Sequence, residues 1–245
     1  MKKIFKWIGI VLGVLILGIV VIGLVSNEPK PQGTTGPAAD ALARKMEQAI
    51  NKAAWDSTRY VQWTFAGRNS FIWDRERELV QVNYGKTKVL LRLANQTGIV
   101  FEDGKQLDKE AAKGELEKAW AFFCNDSFWL NAPAKAFDAG TERAIVPLEN
   151  GEEGLMITYN AGGVTPGDSY LWILDKNGLP KSWKMWVSII PIGGGEFSWE
   201  AWETLSTGAK VATLHKGMLE LPITDLEGGQ TFEALGLEED PFGAL

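Results

Sequence analysis

Apolar residues in this chain keep a succession of distinct rhythms. From 7 to 25 the run is unbroken and uncharged. From 37 to 55 they recur at Leu42, Met46, Ile50 and Ala53, with Arg44, Lys45, Glu47 and Gln48 between them, which is the spacing of one amphipathic helix. From Thr58 the period drops to two. Val61, Trp63 and Phe65 alternate with Tyr60, Gln62 and Thr64, and short β-rich runs follow at 70–74, 78–84, 87–94 and 98–102. Gly67, the charges of 74–77, Gly85 and Asn95 punctuate these runs, giving the signature of an antiparallel meander and the strand spacing that a large curved sheet or open barrel needs.

The helical period returns over 109–123, where Leu116, Ala119, Trp120 and Phe123 fall on one face. A short turn-rich segment, 125–136, follows with Phe128, Trp129 and Leu130 and is ended by Pro133. Its aromatic density suits a plug or cap on the apolar face of the sheet, and equally one side of an ordinary α+β core.

Strands resume at 142–147 and 155–160, and the stretch 168–205 holds five of the eleven tryptophans. Within it, Asp175-Lys176-Asn177-Gly178 separates two β-rich runs, and Asn-Gly tolerates the positive φ of a tight two-residue hairpin loop. That register puts Tyr170, Trp172 and Leu174 on the same face as Trp183, Met185 and Val187. A third strand starts near Phe197; with Phe197, Trp199 and Ala201 on the apolar face, Lys184, Ser188, Ser198, Glu200 and Thr204 fall on the other, together with Trp186 and Trp202. Further strands are expected at 210–214 and 218–221. From Asp225 the tail is acidic and Gly-rich, with at most a short helix near 232–237.

Composition narrows the function classes. A chain of 245 residues, 45% hydrophobic, can bury one core without a second domain. A net charge of -6 and no cluster of Lys and Arg beyond residue 30 argue against a nucleic-acid partner. The apolar run 7–25 is long enough to cross a hydrocarbon layer about 30 Å thick, and Lys2, Lys3 and Lys6 before it place the N-terminus inside. Residues 1–26 are expected to be an uncleaved membrane anchor, with 4–25 in contact with the bilayer. A cleaved signal peptide is the alternative, with Leu24-Val25-Ser26 as cleavage context. No cysteine lies next to the run, the single one being Cys124 far downstream, so a lipoprotein is excluded. Residues 27–37, rich in Pro, Gly and Thr, are expected to be an exposed linker, and 38–245 a single domain.

Residues with reactive chemistry are few. His215 is the single histidine and Cys124 the single cysteine, which excludes a His-rich metal site and an intramolecular disulfide. His215 is expected on an edge strand or loop, Cys124 as a small buried side chain. Asp175-x-Asn177 lacks the later carboxylates of a calcium loop, and Gly193-Gly194-Gly195 lacks the Lys-Ser/Thr of a phosphate loop. Glu196, Glu200 and Glu203 leave one enzymatic option, a carboxylate pair facing a tryptophan-lined cleft as in a sugar hydrolase. No catalytic residue and no cofactor is assigned.

The run Trp63-Thr64-Phe65 through Phe71-Ile72-Trp73-Asp74, followed by Phe122-Phe123 and the segment 125–130, resembles an uncharacterised subgroup of the bacterial periplasmic lipoprotein-carrier (LolA/LolB-like) superfamily. The resemblance spans roughly 38–221. It implies an α+β fold: a strongly curved antiparallel sheet, an open half-barrel, covered by helices and carrying acyl chains on its concave face. With the N-terminal transmembrane helix, the expectation is a single-pass inner-membrane protein whose domain lies in the periplasm or outside the cell and binds a lipid, a lipoprotein acyl chain or another hydrophobic ligand. Trp63, Phe65, Phe123, Trp172, Trp183 and Trp199 are the candidate ligand-binding residues. The alternative is an envelope module that binds a protein partner through Trp186 and Trp202.

Overall fold

A computed structural model of the chain describes residues 27–245. The expected membrane anchor, 1–26, lies outside the described residues, and among them no helix is long and apolar enough to cross a membrane. The strands of the first half are β1 (Thr34–Thr35), β2 (Tyr60–Phe65), β3 (Asn69–Asp74), β4 (Leu79–Tyr84), β5 (Thr87–Arg92), β6 (Thr97–Glu102) and β7 (Lys105–Gln106). Those of the second half are β8 (Thr141–Pro147), β9 (Glu153–Tyr159), β10 (Asp168–Leu174), β11 (Pro180–Trp186), β12 (Gly195–Ser198), β13 (Glu200–Thr204), β14 (Lys210–Lys216) and β15 (Glu220–Gly229). The helices are α1 (Pro37–Ala49), α2 (Lys52–Ser57) and α3 (Lys109–Asn131).

Every pairing is antiparallel. One sheet has the order β1-β8-β9-β10-β11-β12, the other β13-β14-β15-β2-β3-β4-β5-β6-β7. β12 and β13 are one extended segment interrupted at Trp199, whose N–H still donates to the Lys181 carbonyl of β11 at 2.8 Å. The segment pairs with β11 before Trp199 and with β14 after it, so the two sheets form one curled, unclosed surface. Alternation explains which face is buried. Val61, Trp63 and Phe65 of β2, Phe71 of β3, and Val80 and Val82 of β4 point inward and are buried, while the residues between them, except at strand ends, are more exposed. The turn between β4 and β5 is only Gly85-Lys86, and Gly85 takes the positive φ of 56° that so short a connection demands.

The tryptophan hairpin has the expected facing, with Tyr170 opposite Met185 and Trp172 opposite Trp183. Its loop is longer than the two residues expected. Asp175 to Leu179 intervene, with the Asp175 carboxylate accepting from the N–H groups of Asn177 and Leu179 at 2.8 Å each. A register shift after Ile173 takes up the added length. Phe197 joins the apolar face opposite Trp183. Ala201 does not: it is exposed with φ 51°, because the inward alternation stops where the strand changes sheets at Trp199.

Other expectations are corrected by contacts distant in sequence. The helix expected over 37–55 is two helices. Asn51 adopts φ 56° and its side-chain amide donates to the Gly208 carbonyl at 3.0 Å, which shifts the buried stripe from Ala53, now exposed, to Trp55. The expected linker 27–37 is attached to the domain: Glu28 bonds Gly193, and β1 pairs with β8. The acidic tail is not a free appendage either. β15 runs on to Gly229 along β2, and Phe242 and Leu235 are buried with Tyr60 and Leu90 on the outer face of the sheet.

Candidate functional site

α3 decides what the inner face of the sheet can do. It begins at Asp108, whose carboxylate accepts the N–H groups of Glu110 and Ala111 at 3.0 Å. It then continues unbroken through 125–130, which the sequence led us to expect as turn-rich. Asn125, Asp126 and Ser127 are weak helix formers, but tertiary contacts override propensity. Asp126 accepts from the Asn69 amide of β3 at 2.8 Å, Phe128 packs on Trp183 of the six-stranded sheet, and Trp129 packs on Phe197 of that sheet and on Phe65 of the other.

All six candidate residues are buried, none more than 7% exposed. Trp63 stacks on Phe71 at 4.6 Å between ring centres, and Phe123 of α3 lies 6.5 Å from Trp63 and 5.1 Å from Trp73. On the other sheet Trp172, Trp183 and Trp199 form a triangle with sides of 4.8, 5.0 and 5.0 Å. Trp129 joins the two groups, 6.4 Å from Phe65 and 4.8 Å from Trp183. The six therefore belong to one aromatic layer, roofed by α3. Phe128, Trp129 and Tyr170 belong to it too; the period-two reading put Tyr170 on this face, but nothing in a turn-like composition marked Phe128 and Trp129 as its centre.

The layer is apolar in area but not free of polar atoms. The indole N–H groups of Trp63, Trp73, Trp172, Trp183 and Trp199 are buried and make no hydrogen bond within the described residues. Each such donor costs on the order of 1–3 kcal/mol. His215 is also here, contrary to its expected edge or loop position. β14 lies between β13 and β15, and the ring is fully buried against Trp199 (4.4 Å) and Trp129 (5.2 Å). Burial holds its pKa down to about 4, so the ring is neutral at physiological pH. Its Nδ1 faces the Ser198 carbonyl at 3.1 Å, while Nε2 has no partner. Cys124, half-buried on α3, has its thiol pushed up to about 11 by burial.

Beside α3 the surface opens into a cleft of about 680 Å³ lined by Arg68, Asn69, Tyr84, Lys86, Lys118 and Phe122 among others. The Tyr84 hydroxyl donates to Glu115 at 2.6 Å, and the Lys118 ammonium lies 4.5 Å from the Tyr84 ring centre. Asn69, at the cleft, leads inward to Asp126, whose pKa burial raises. The cleft thus carries Arg68, Lys86 and Lys118 with Glu102 on its rim, Lys86 pairing with Asp103 at 3.0 Å and Lys118 with Glu115 at 3.6 Å.

The three glutamates do not form a pair in a tryptophan-lined cleft. Glu196 accepts from the Ser182 hydroxyl at 2.6 Å and is exposed, Glu200 pairs with Lys216 at 3.0 Å, and Glu203 is exposed. Trp186 and Trp202, the candidate partner-binding residues, are half-buried, their indole N–H groups donating to the carbonyls of Glu28 (2.8 Å) and Trp199 (3.2 Å). Among the described residues no cluster of three or more His, Cys, Asp or Glu is arranged to hold a metal ion.

No family model matches the chain and no curated protein matches it. Among solved structures, a DUF1329 family protein from Desulfovibrio piger is similar over 78% of this chain and 92% of its own, at 12% identity and a TM-score of 0.41. A likeness at that level carries no argument about function.

Proposed function

We propose that this chain is a membrane-anchored extracytoplasmic domain that takes up the acyl part of a lipid or lipoprotein between α3 and the concave aromatic face. The observation that carries the reading is that layer: five buried indole donors without a protein acceptor, under a roof of one helix. Acyl chains match the apolar area, and an ester or carboxylate oxygen would give an indole N–H the acceptor it lacks. Trp63, Phe65, Phe123, Trp172, Trp183 and Trp199 are the proposed contacts, and the cleft rimmed by Arg68, Lys86 and Lys118 the proposed entrance for an anionic headgroup. The resemblance to the LolA/LolB-like carriers, with its half-barrel, supports this assignment, as does an apolar run at 7–25 able to act as a single-pass inner-membrane anchor. On this reading the domain binds and releases; it performs no reaction and needs no cofactor.

Native mass spectrometry of the full chain after mild detergent extraction tests the proposal. The expected result is a mass increment equal to one acyl lipid, with a change in tryptophan emission when the lipid is stripped and restored. An apo mass that stays unchanged after incubation with phospholipid, with constant emission, would overturn it.

A further inference from the structure

In an antiparallel sheet successive connections alternate between two ends. The connections β2–β3, β4–β5, β6–β7, β9–β10, β11–β12 and β14–β15 share one end, and those after β3, β5, β8, β10 and β13 share the other. The β14–β15 turn is tied to the first end directly. Gly217 abuts Glu196 and Phe197 at the start of β12, and the Lys216 N–H donates to Ser198 at 3.0 Å.

Among the described residues the large hydrophobic side chains left exposed are Val164, Ile189, Ile190, Met218 and Leu219, with Met218 at 93% and Ile189 at 70%. All five lie in the β9–β10, β11–β12 and β14–β15 connections, at that first end. The same end holds Asn27, two residues beyond the apolar run 7–25. The Asn27 side-chain oxygen accepts the Gly193 N–H at 2.9 Å. Glu28 then donates its N–H to the Gly193 carbonyl at 3.0 Å and accepts the Trp186 indole at 2.8 Å, and its carboxylate pairs with Lys184 at 2.8 Å. A side chain at Gly193 would strike Trp186 and the Glu28 carbonyl, so the close seating of this strap depends on glycine there. Two residues span at most about 7 Å even fully extended.

We propose that this end of the sheet is seated in the interfacial zone of the phospholipid bilayer, with the five apolar side chains immersed beside the point where the chain enters the membrane. The inference rests on the reading of 7–25 as a membrane anchor. Given that anchor, the strap at Asn27 and Glu28 leaves too little chain for the domain to stand off the bilayer, and the loops that meet the headgroups are the ones carrying unburied Ile, Val, Leu and Met. Side chains of this kind insert ~5–10 Å, to the boundary of headgroups and acyl chains. The docking also sets the basic cleft, whose rim residues Arg68 and Lys86 lie in the β2–β3 and β4–β5 turns of the same end, toward lipid.

The test uses the full chain in phosphatidylcholine/phosphatidylglycerol vesicles. In a Cys124→Ser background, Ile189→Cys, Met218→Cys and, at the opposite end, Asn177→Cys each carry an environment-sensitive fluorophore. Flotation reports the anchor, and quenching by nitroxide lipids against quenching by iodide reports the loops. The expected result is flotation of all three, with lipid quenching several-fold greater at 189 and 218 than at 177. Flotation with 189 and 218 as open to iodide as 177 would overturn the docking and leave the anchor standing. Flotation with both positions shielded from both quenchers would also overturn it, in favour of a second copy or a protein as the covering surface. Failure to float would remove the anchor and this inference with it.

Discussion

At one end of the curled sheet the β3–β4 turn carries Arg75, Glu76, Arg77 and Glu78, and the β8–β9 turn carries Glu149 and Glu152; at the other end the corresponding connections carry Val164, Ile189, Ile190, Met218 and Leu219. The charged end is internally tied. Asp74, whose side chain is completely buried, accepts Arg59 at 3.2 Å, Arg77 at 2.6 Å and two backbone N–H groups, and Arg77 also reaches Asp240 at 2.7 Å, pinning the C-terminal segment. Burial alone would raise the Asp74 pKa; hydrogen bonds from Arg59 and Arg77 overcome it and hold the carboxyl at about 2. The apolar end is tied at its base, through Glu28, Gly193 and Lys184 and through Ser188 and Asp168, while the tips at Ile189, Ile190, Met218 and Leu219 stay exposed. One end ties its charges to one another, and the other leaves large apolar side chains exposed.

The contrast is open to direct attack. The largest effect is expected from Asp74→Ala, which strands two arginines: a loss of about 3 kcal/mol in urea unfolding, at the low edge for a buried pair because Arg59 and Arg77 are 31% and 35% exposed. An unchanged midpoint would show the charged end to be no tighter than the apolar one. Beneath the β14–β15 turn of the apolar end, His215 makes the core sensitive to acid. Its folded pKa lies below the ordinary value, so as pH falls from 6.5 toward about 4 the unfolded chain takes up a proton that the native state refuses. Stability should drop by roughly 3 kcal/mol across that window, and His215→Phe should flatten the slope. Asp74 adds its own loss only lower, as pH falls from 3.8 toward about 2. The smallest effect belongs to the apolar end: Ile189→Ser with Met218→Ser should move the unfolding midpoint by no more than ~0.5 kcal/mol. A clear destabilisation would mean that those side chains support the fold rather than meet something outside it.

What the sequence disclosed depends on the range of the cause. Period-two and helical periodicity are local, so the meander, the face shared by Trp172 and Trp183, and the apolar faces that carry the six candidate residues could be read directly. Apart from the hairpin loop, which the Asp175 carboxylate lengthens locally, the failures in the helices, the linker and the tail share a long-range origin. Asn51 bonds Gly208, Asn69 bonds Asp126, Glu28 bonds Gly193 and Arg77 bonds Asp240, and these contacts respectively break a helix, extend another, fasten a presumed linker and tie down a presumed tail. His215 was misplaced because the expected strand stopped at Leu214, whereas β14 runs on to Lys216 and lies between β13 and β15. The site was half legible: its walls were, but its centre, Trp129, sat in a segment whose composition says turn.

The segment through Trp199 constrains how the two sheets can move. Because one strand pairs with β11 on one side of this residue and with β14 on the other, the two sheets are sewn by a covalent seam and cannot part like the halves of a sandwich. The aromatic layer is covered by α3, which hangs between the β7 edge and the short 3₁₀ turn Ala132–Lys135. If the domain takes up an acyl chain as proposed, loading moves this one helix over a fixed floor, against the ring contacts of Phe123, Phe128 and Trp129.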